Sequence, residues 1–221
     1  MKKETKSMEG IFAIDKPLGM TSHDVVAKMR KISGIQKVGH AGTLDPLATG
    51  VLVVGVGSEA TRKLGRIVEK EKEYIAEIKL GVESTTDDEE GEKTVNEIKH
   101  VPKLKNIEKV LTKFVGEIIQ LSPRFSAVRI RGKRAHKRAR DGEEFSLPPR
   151  SVEIKEIKIL EYVWPCLRIE VKTGIGVYIR SLARDIGKEL GVGGYLTGLQ
   201  RTRVGQYSIE KAQKLANLEV K

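Results

Sequence analysis

The run from Gly39 to Gly57, GHAGTLDPLATGVLVVGVG, constrains this chain more than any other stretch. Asp45 stands alone among Gly, Thr, Pro and Ala, and the wholly apolar Val51–Val54 follows closely. Pro46 fixes its own φ and pushes Asp45 towards an extended backbone. Gly39, Gly42 and Gly50 permit turns and close approach by another backbone or a ligand. The four-residue run is short and mostly β-branched, which fits a buried strand better than a helix. A carboxylate is therefore expected on a stiff loop pinned to a buried strand. Taken alone, such an aspartate reads as an Asx-turn or helix cap.

Composition narrows the partners. Lys and Arg number 41 against 30 Asp and Glu in 221 residues, a net charge of +11. That excess favours a polyanionic partner. No 18-residue apolar stretch and no basic helix with a broad aromatic or leucine face is present, so a membrane is not expected. The charged MKKETKSMEG is followed by no signal-type apolar region, so no export is expected. Cys166 is the only cysteine, which excludes an internal disulfide and fits a reducing cytoplasm. His23, His40, His100 and His136 are scattered without metal-ligand spacing.

Residues 1–9 read as a loose, flexible start, and 10–221 as one catalytic-sized domain. Gly10–Asp15 reads as a strand, and Thr21 or Ser22 caps a helix through Val25, Val26, Met29 and Ile32 to Gly34. Thr61–Lys63 reads as a basic turn and Glu73–Leu80 as a strand. Glu83–Glu92 reads as a solvated loop or irregular hairpin. Asn106 is expected to cap a helix over Ile107–Val115, stopped by Gly116. Val152–Leu160 and Leu167–Lys172 alternate as half-buried strands, and Ile179–Leu190 carries a helical stripe. Ser208–Ala216 looks helical. Mixed strands and helices without a βαβ period predict an α+β fold.

One compositional break stands out, an insertion at about 120–150. Within it Arg124–Arg140 holds eight cations in 17 residues with no acid, including Arg129, Arg131, Arg134 and Arg138. Such a run repels itself into disorder unless a partner neutralises it, but interleaved Phe125, Val128 and Ile130 let part of it fold. Nucleic acid is the expected partner.

Five segments in order carry a family resemblance: DKPLGMTSHDVV (Asp15–Val26), GHAGTLDPLATG (Gly39–Gly50), KEY (Lys72–Tyr74), GIGVYIRSLARDIG (Gly174–Gly187) and LQRTRVG (Leu199–Gly205). Together they resemble the TruB-type pseudouridine synthases. The resemblance implies the pseudouridine synthase fold, a mixed and mostly antiparallel central sheet flanked by helices. It implies Asp45, Tyr74 and Arg180 as catalytic residues, and His40, Tyr178, Leu199 and Lys16 as substrate-binding ones. It also implies isomerisation of the TΨC-loop uridine of tRNA by a cytoplasmic monomer that needs no cofactor, metal or protein partner and grips the T arm.

These residue types suit the chemistry. A uridine must leave its stack before C1′ and the ring can be reached, and Tyr74 with Leu199 can form its platform. Asp45 must be ionised, and Arg180 is the natural guanidinium to favour that form. The sequence departs from the family pattern at QLSPRFSA (Gln120–Ala127), at Arg129, at His136 and at Val177, all bearing on RNA docking more than on bond breaking. No C-terminal PUA-like segment is read. Two alternatives stay open: the catalytic subunit of a guide-RNA-dependent synthase, and a non-catalytic RNA-binding or tRNA-chaperone module.

Overall fold

A computed structural model describes residues 8–126, 128–130 and 132–218, with only the backbone of Arg129, Ile130, Arg134, His136 and Arg140. Arg131 and residues 1–7 of the expected flexible start lie outside the described residues. In chain order the elements are β1 (Gly10–Lys16), α1 (Ser22–Ser33), β2 (Val38–Ala41), β3 (Ala48–Val56), α2 (Ser58–Val68), β4 (Lys72–Leu80), β5 (Val82–Ser84), β6 (Lys93–Val95) and α3 (Leu104–Thr112). There follow β7 (Gly116–Leu121), β8 (Arg129–Ile130), β9 (Lys133–Arg134), α4 (Ala135–Arg140), β10 (Pro149–Val163), β11 (Cys166–Thr173), α5 (Ile179–Glu189), β12 (Gly194–Val204), β13 (Tyr207–Ser208) and β14 (Gln213–Lys214). The fold is α+β, as expected. The chain forms two compact units, Met1–Tyr74 with Leu199–Lys221, and Ile75–Gly198, and passes between them within β4 and β12.

The first unit is built around β3. Val51, Leu52, Val53, Val54 and Val56 are all fully buried because both faces of this strand are covered. Leu52 and Val54 join Val25, Val26 and Met29 of α1 in one cluster. Val51 and Val53 join Leu64 and Ile67 of α2 in the other. β1 runs antiparallel to β3, and β12 runs parallel to it with Arg201 opposite Gly50. Gly50 has φ +94°, and a Cβ there would lie 2.3 Å from the Arg201 carbonyl oxygen, so only glycine lets the two backbones meet. Thr21 caps α1 with a reciprocal Asp24 capping box, and Gly34 closes it at φ 70°.

Two expectations fail in this unit. Thr61–Lys63 is no turn but the middle of α2, whose buried Ala60, Leu64 and Ile67 recur at helical spacing. Ser208–Ala216 is not a helix: extended Ala212 (ψ 142°) separates a 3-10 turn from β14, which pairs with β1.

In the second unit β11 lies between β4 and β10, and β7 forms the far edge beside β10. β5 and β6 make the irregular hairpin expected around Glu83–Glu92. α3 begins earlier than the sequence suggested. Lys103 is its N-cap, and Asn106 sits a turn inside, where its Oδ1 accepts from the Lys103 N–H at 3.2 Å. It also ends at Thr112, with Val115 in the turn into β7. Ile107 of α3 and Leu182, Ala183 and Ile186 of α5 are fully buried. The basic insertion joins β7 to β10 as a small hairpin, β8–β9, followed by α4.

Candidate active site

Asp45 is half-buried at the head of a β-turn that the Ala48 N–H closes on its carbonyl at 3.0 Å, with Pro46 in the position that presets the turn. Both neighbours of Asp45 are tied down. Ser22 Oγ accepts from the Leu44 N–H at 2.8 Å and lies 3.0 Å from the Leu44 carbonyl. The Gly19 N–H donates to the Pro46 carbonyl at 2.9 Å. The KPLGM turn that supplies Gly19 is stiffened by Lys16, whose Nζ donates to the carbonyls of Pro17 at 3.0 Å and Met20 at 2.6 Å. Lys16, expected from the resemblance among the substrate-binding residues, is here tied into the turn beside the Asp45 loop. The role of Ser22 was not legible, because beside Thr21 it looked like a second cap.

Electrostatically the loop is set among cations. Burial pulls Lys16 down to about 8, opposed by the Asp45 carboxylate and reinforced by Arg201. Burial also pulls Lys72 down to about 8, again with Arg201 adding to the effect, while its Nζ donates to the carbonyls of Val68 and Lys70 at 2.8 Å each. His40, half-buried on β2, is lowered by burial first and then by His23 and Arg201. Its ring meets His23 edge-on at 5.7 Å. Tyr74 is buried, and its hydroxyl acts on the charge of Arg201. Leu199 is half-buried against the cluster containing Leu44 and Leu52. Lys16, His40, Asp45, Tyr74 and Leu199 thus all belong to the first unit.

The two lysines make a stability prediction. Their folded pKa values near 8 lie below the ordinary 10.5, so between these pH values the unfolded chain holds more protons. Their combined contribution to stability must therefore rise with pH across that window. Melting temperatures from pH 7 to 10 should show the native chain gaining on Lys16→Met and Lys72→Met variants as pH increases. A gap independent of pH contradicts the shifts.

Tyr178 and Arg180 belong to the second unit. Gln120 clasps the Tyr178 backbone from both sides, accepting from its N–H at 2.8 Å and donating to its carbonyl at 3.1 Å. Arg180 is buried at the start of α5, where the helix dipole is unfavourable. Within its own unit the acid it meets is Asp88, at 3.3 Å, and it donates to the Phe125 carbonyl at 2.9 Å. Asp88 is itself buried and held by the Thr86 hydroxyl and the Glu90 N–H. Nothing in the acidic run around it marked Asp88 as different from its neighbours.

The basic insertion is less bare than its sequence suggests. Lys133 pairs with Asp141 at 2.6 Å and Glu143 at 2.7 Å, and Arg138 pairs with Glu143 at 2.5 Å. Arg124 lies over the Phe145 ring at 5.5 Å. Acids just beyond the basic run thus supply the neutralisation that lets it fold. Of the four arginines expected to meet RNA, Arg138 is half-buried, and the side chains of the other three lie outside the described residues. Among the described residues no group of acids, histidines or cysteine is arranged to hold a metal, and no helix is long and apolar enough to cross a membrane.

Comparison with known proteins gives a consistent picture. A family model described as TruB family pseudouridylate synthase (N terminal domain) matches residues 30–179. Another, tRNA pseudouridylate synthase B C-terminal domain, matches residues 180–221. The chain is 47% identical over 214 residues to a tRNA pseudouridine synthase B of Corynebacterium efficiens, covering 95% of this chain and 72% of that protein. It is 44% identical over 228 residues to one of Streptomyces coelicolor, covering 99% and 75%. A chain in a solved Cbf5–Nop10–Gar1 complex is similar at TM-score 0.74 and 33% identity, covering 94% of this chain and 52% of its own. This chain therefore spans about half the length of that solved one.

Proposed function

We propose that this chain, which belongs to the TruB family of pseudouridylate synthases, isomerises the TΨC-loop uridine of tRNA, with Asp45 as its essential group. The observation that carries the reading is the Asp45 loop itself, a single half-buried carboxylate whose two neighbours are each bonded to the Lys16–Ser22 segment. A catalytic group held this way meets its substrate without further ordering.

In the reaction the N1–C1′ bond of uridine breaks, the uracil turns within the site, and C5 bonds to C1′. The hydrogen on C5 leaves and N1 gains a proton, so atoms balance without a co-reactant. Attack at C1′, addition at C6 and removal of a ribose proton all need one carboxylate near both ring and sugar, the place assigned to Asp45. Extruding the nucleotide costs a few kcal/mol. Tyr74 and Leu199 supply an apolar platform for the extruded base, with His40 and Tyr178 as further contacts. Lys16 braces the loop, and Arg180 favours the ionised carboxylate. The T arm is held by the basic insertion, through Arg129, Arg131, Arg134 and Arg138. The chain acts as a monomer in the cytoplasm without cofactor or protein partner.

Incubating the purified chain with an unmodified tRNA transcript, and no other RNA or protein, tests this. Pseudouridine at one T-loop position is expected. Product only when a guide RNA is supplied would favour the guide-dependent reading, and tight binding without product would favour an RNA-binding module.

Replacing Arg129, Arg131, Arg134 and Arg138 together is expected to weaken tRNA binding. Each lost phosphate contact lowers the salt slope by about 0.7–0.9. Unchanged affinity and slope would make the insertion a merely solvated face.

A further inference from the structure

Arg201 is the largest fully buried side chain of the described residues, at 1% exposure. Its fork reaches two separate backbone acceptors, and the Tyr74 hydroxyl acts on its charge. Nε donates to the Val51 carbonyl at 2.7 Å and Nη2 donates to the Gly42 carbonyl at 3.1 Å. Gly42 precedes the Asp45 loop and Val51 follows it. No carboxylate forms an ion pair with Arg201 among the described residues. The cation is thus buried for its donors rather than for a charge partner, a costly arrangement that an apolar side chain would avoid.

We propose that Arg201 is a positioning residue for the isomerisation, holding both ends of the Asp45 loop and the Tyr74 ring in one frame. The idea rests on the assignment of Asp45 and Tyr74 to the reacting centre. The backbone supports it independently: Arg201 lies in register with Gly50, whose missing side chain lets the strands come together at that point. Gly42, at φ 82°, turns its carbonyl towards the guanidinium, and its own Cβ position lies 3.6 Å from Arg201 Nη1. Only a planar group with several fixed donors can serve the Gly42 and Val51 carbonyls at once, so lysine is a poor substitute.

The test is a double-mutant cycle on the full chain with tRNA, comparing Arg201→Met, Arg201→Lys and Tyr74→Phe singly and combined. Single-turnover rate at saturating enzyme, tRNA affinity and melting temperature are measured for each. A misplaced catalytic frame costs about 10²-fold in rate, and Arg201→Met is expected to show a loss of that order with affinity nearly unchanged. Arg201→Lys should recover little of it. Combined with Tyr74→Phe, the loss should fall short of the product of the single losses by at least about threefold, because the two residues act as one unit. Should Arg201→Met fail to fold, the lysine variant carries the same cycle. Losses that simply multiply, or a full rate in the lysine variant, overturn the positioning role and leave Arg201 as a core residue. An inactive native chain would instead sink the functional assignment, and the proposal with it.

Discussion

Asp45→Asn should abolish isomerisation while tRNA binding stays almost intact. The substitution is nearly isosteric. Asparagine tolerates the same turn, and the bonds that fix Leu44, Pro46 and Ala48 use backbone and Ser22 groups that the change does not touch. What disappears is the negative charge and the nucleophilic or basic oxygen. Loss of an essential member of a catalytic set costs about 10⁴- to 10⁶-fold in turnover, which takes the rate below detection. Affinity should survive because phosphate contacts dominate RNA binding and the chain carries a net charge of +11. Binding by gel shift and single-turnover kinetics on the same preparation read the two quantities separately. Measurable turnover by the asparagine variant would remove Asp45 from its assigned role.

Arg180→Lys is expected to cost activity although the charge is kept. The guanidinium meets Asp88, the Thr86 carbonyl and the Phe125 carbonyl at once. An ammonium on a flexible stem cannot keep those partners and also fill the role proposed for the guanidinium. Removing one such fixed donor costs about 10²- to 10³-fold in the chemical step, and the fall in tRNA affinity should be much smaller. Melting temperature separates this from unfolding, since a buried Asp88 left poorly paired also destabilises. An unchanged single-turnover rate with weakened binding would make Arg180 an RNA-docking residue.

The elements legible in the sequence are those in which one local pattern decides. Val51–Val54 reads as a buried strand because it is covered on both faces and carries no polar residue. The capping box of Thr21 and Asp24 and the αL Gly34 bound α1 from local chemistry alone. α2 was hidden because only Ala60, Leu64 and Ile67 are buried, and the intervening Thr61, Arg62, Lys63 and Gly65 look like turn residues. Among the candidate site residues, Asp45 was legible through the string around it. The groups that support the candidates were not. Ser22 and Gln120 act across 22 and 58 residues of chain, and the partners of Arg201 lie 150 and 159 residues away. No window of sequence holds both ends of such a bond. The insertion shows the same limit at short range: its cations suggested self-repulsion until Asp141 and Glu143 were found paired with Lys133 and Arg138.

Bond exchange at C5 offers the most direct test of the central claim, because forming C5–C1′ must expel the C5 hydrogen. Full-length tRNA tritiated at uridine C5 is incubated with an excess of the native chain or of Asp45→Asn, without guide RNA or other protein. The native chain should release the tritium of one uridine per tRNA into water, and the variant, binding the same RNA, should release none. Release by Asp45→Asn, or none by a native chain shown to have bound the tRNA, would contradict the account.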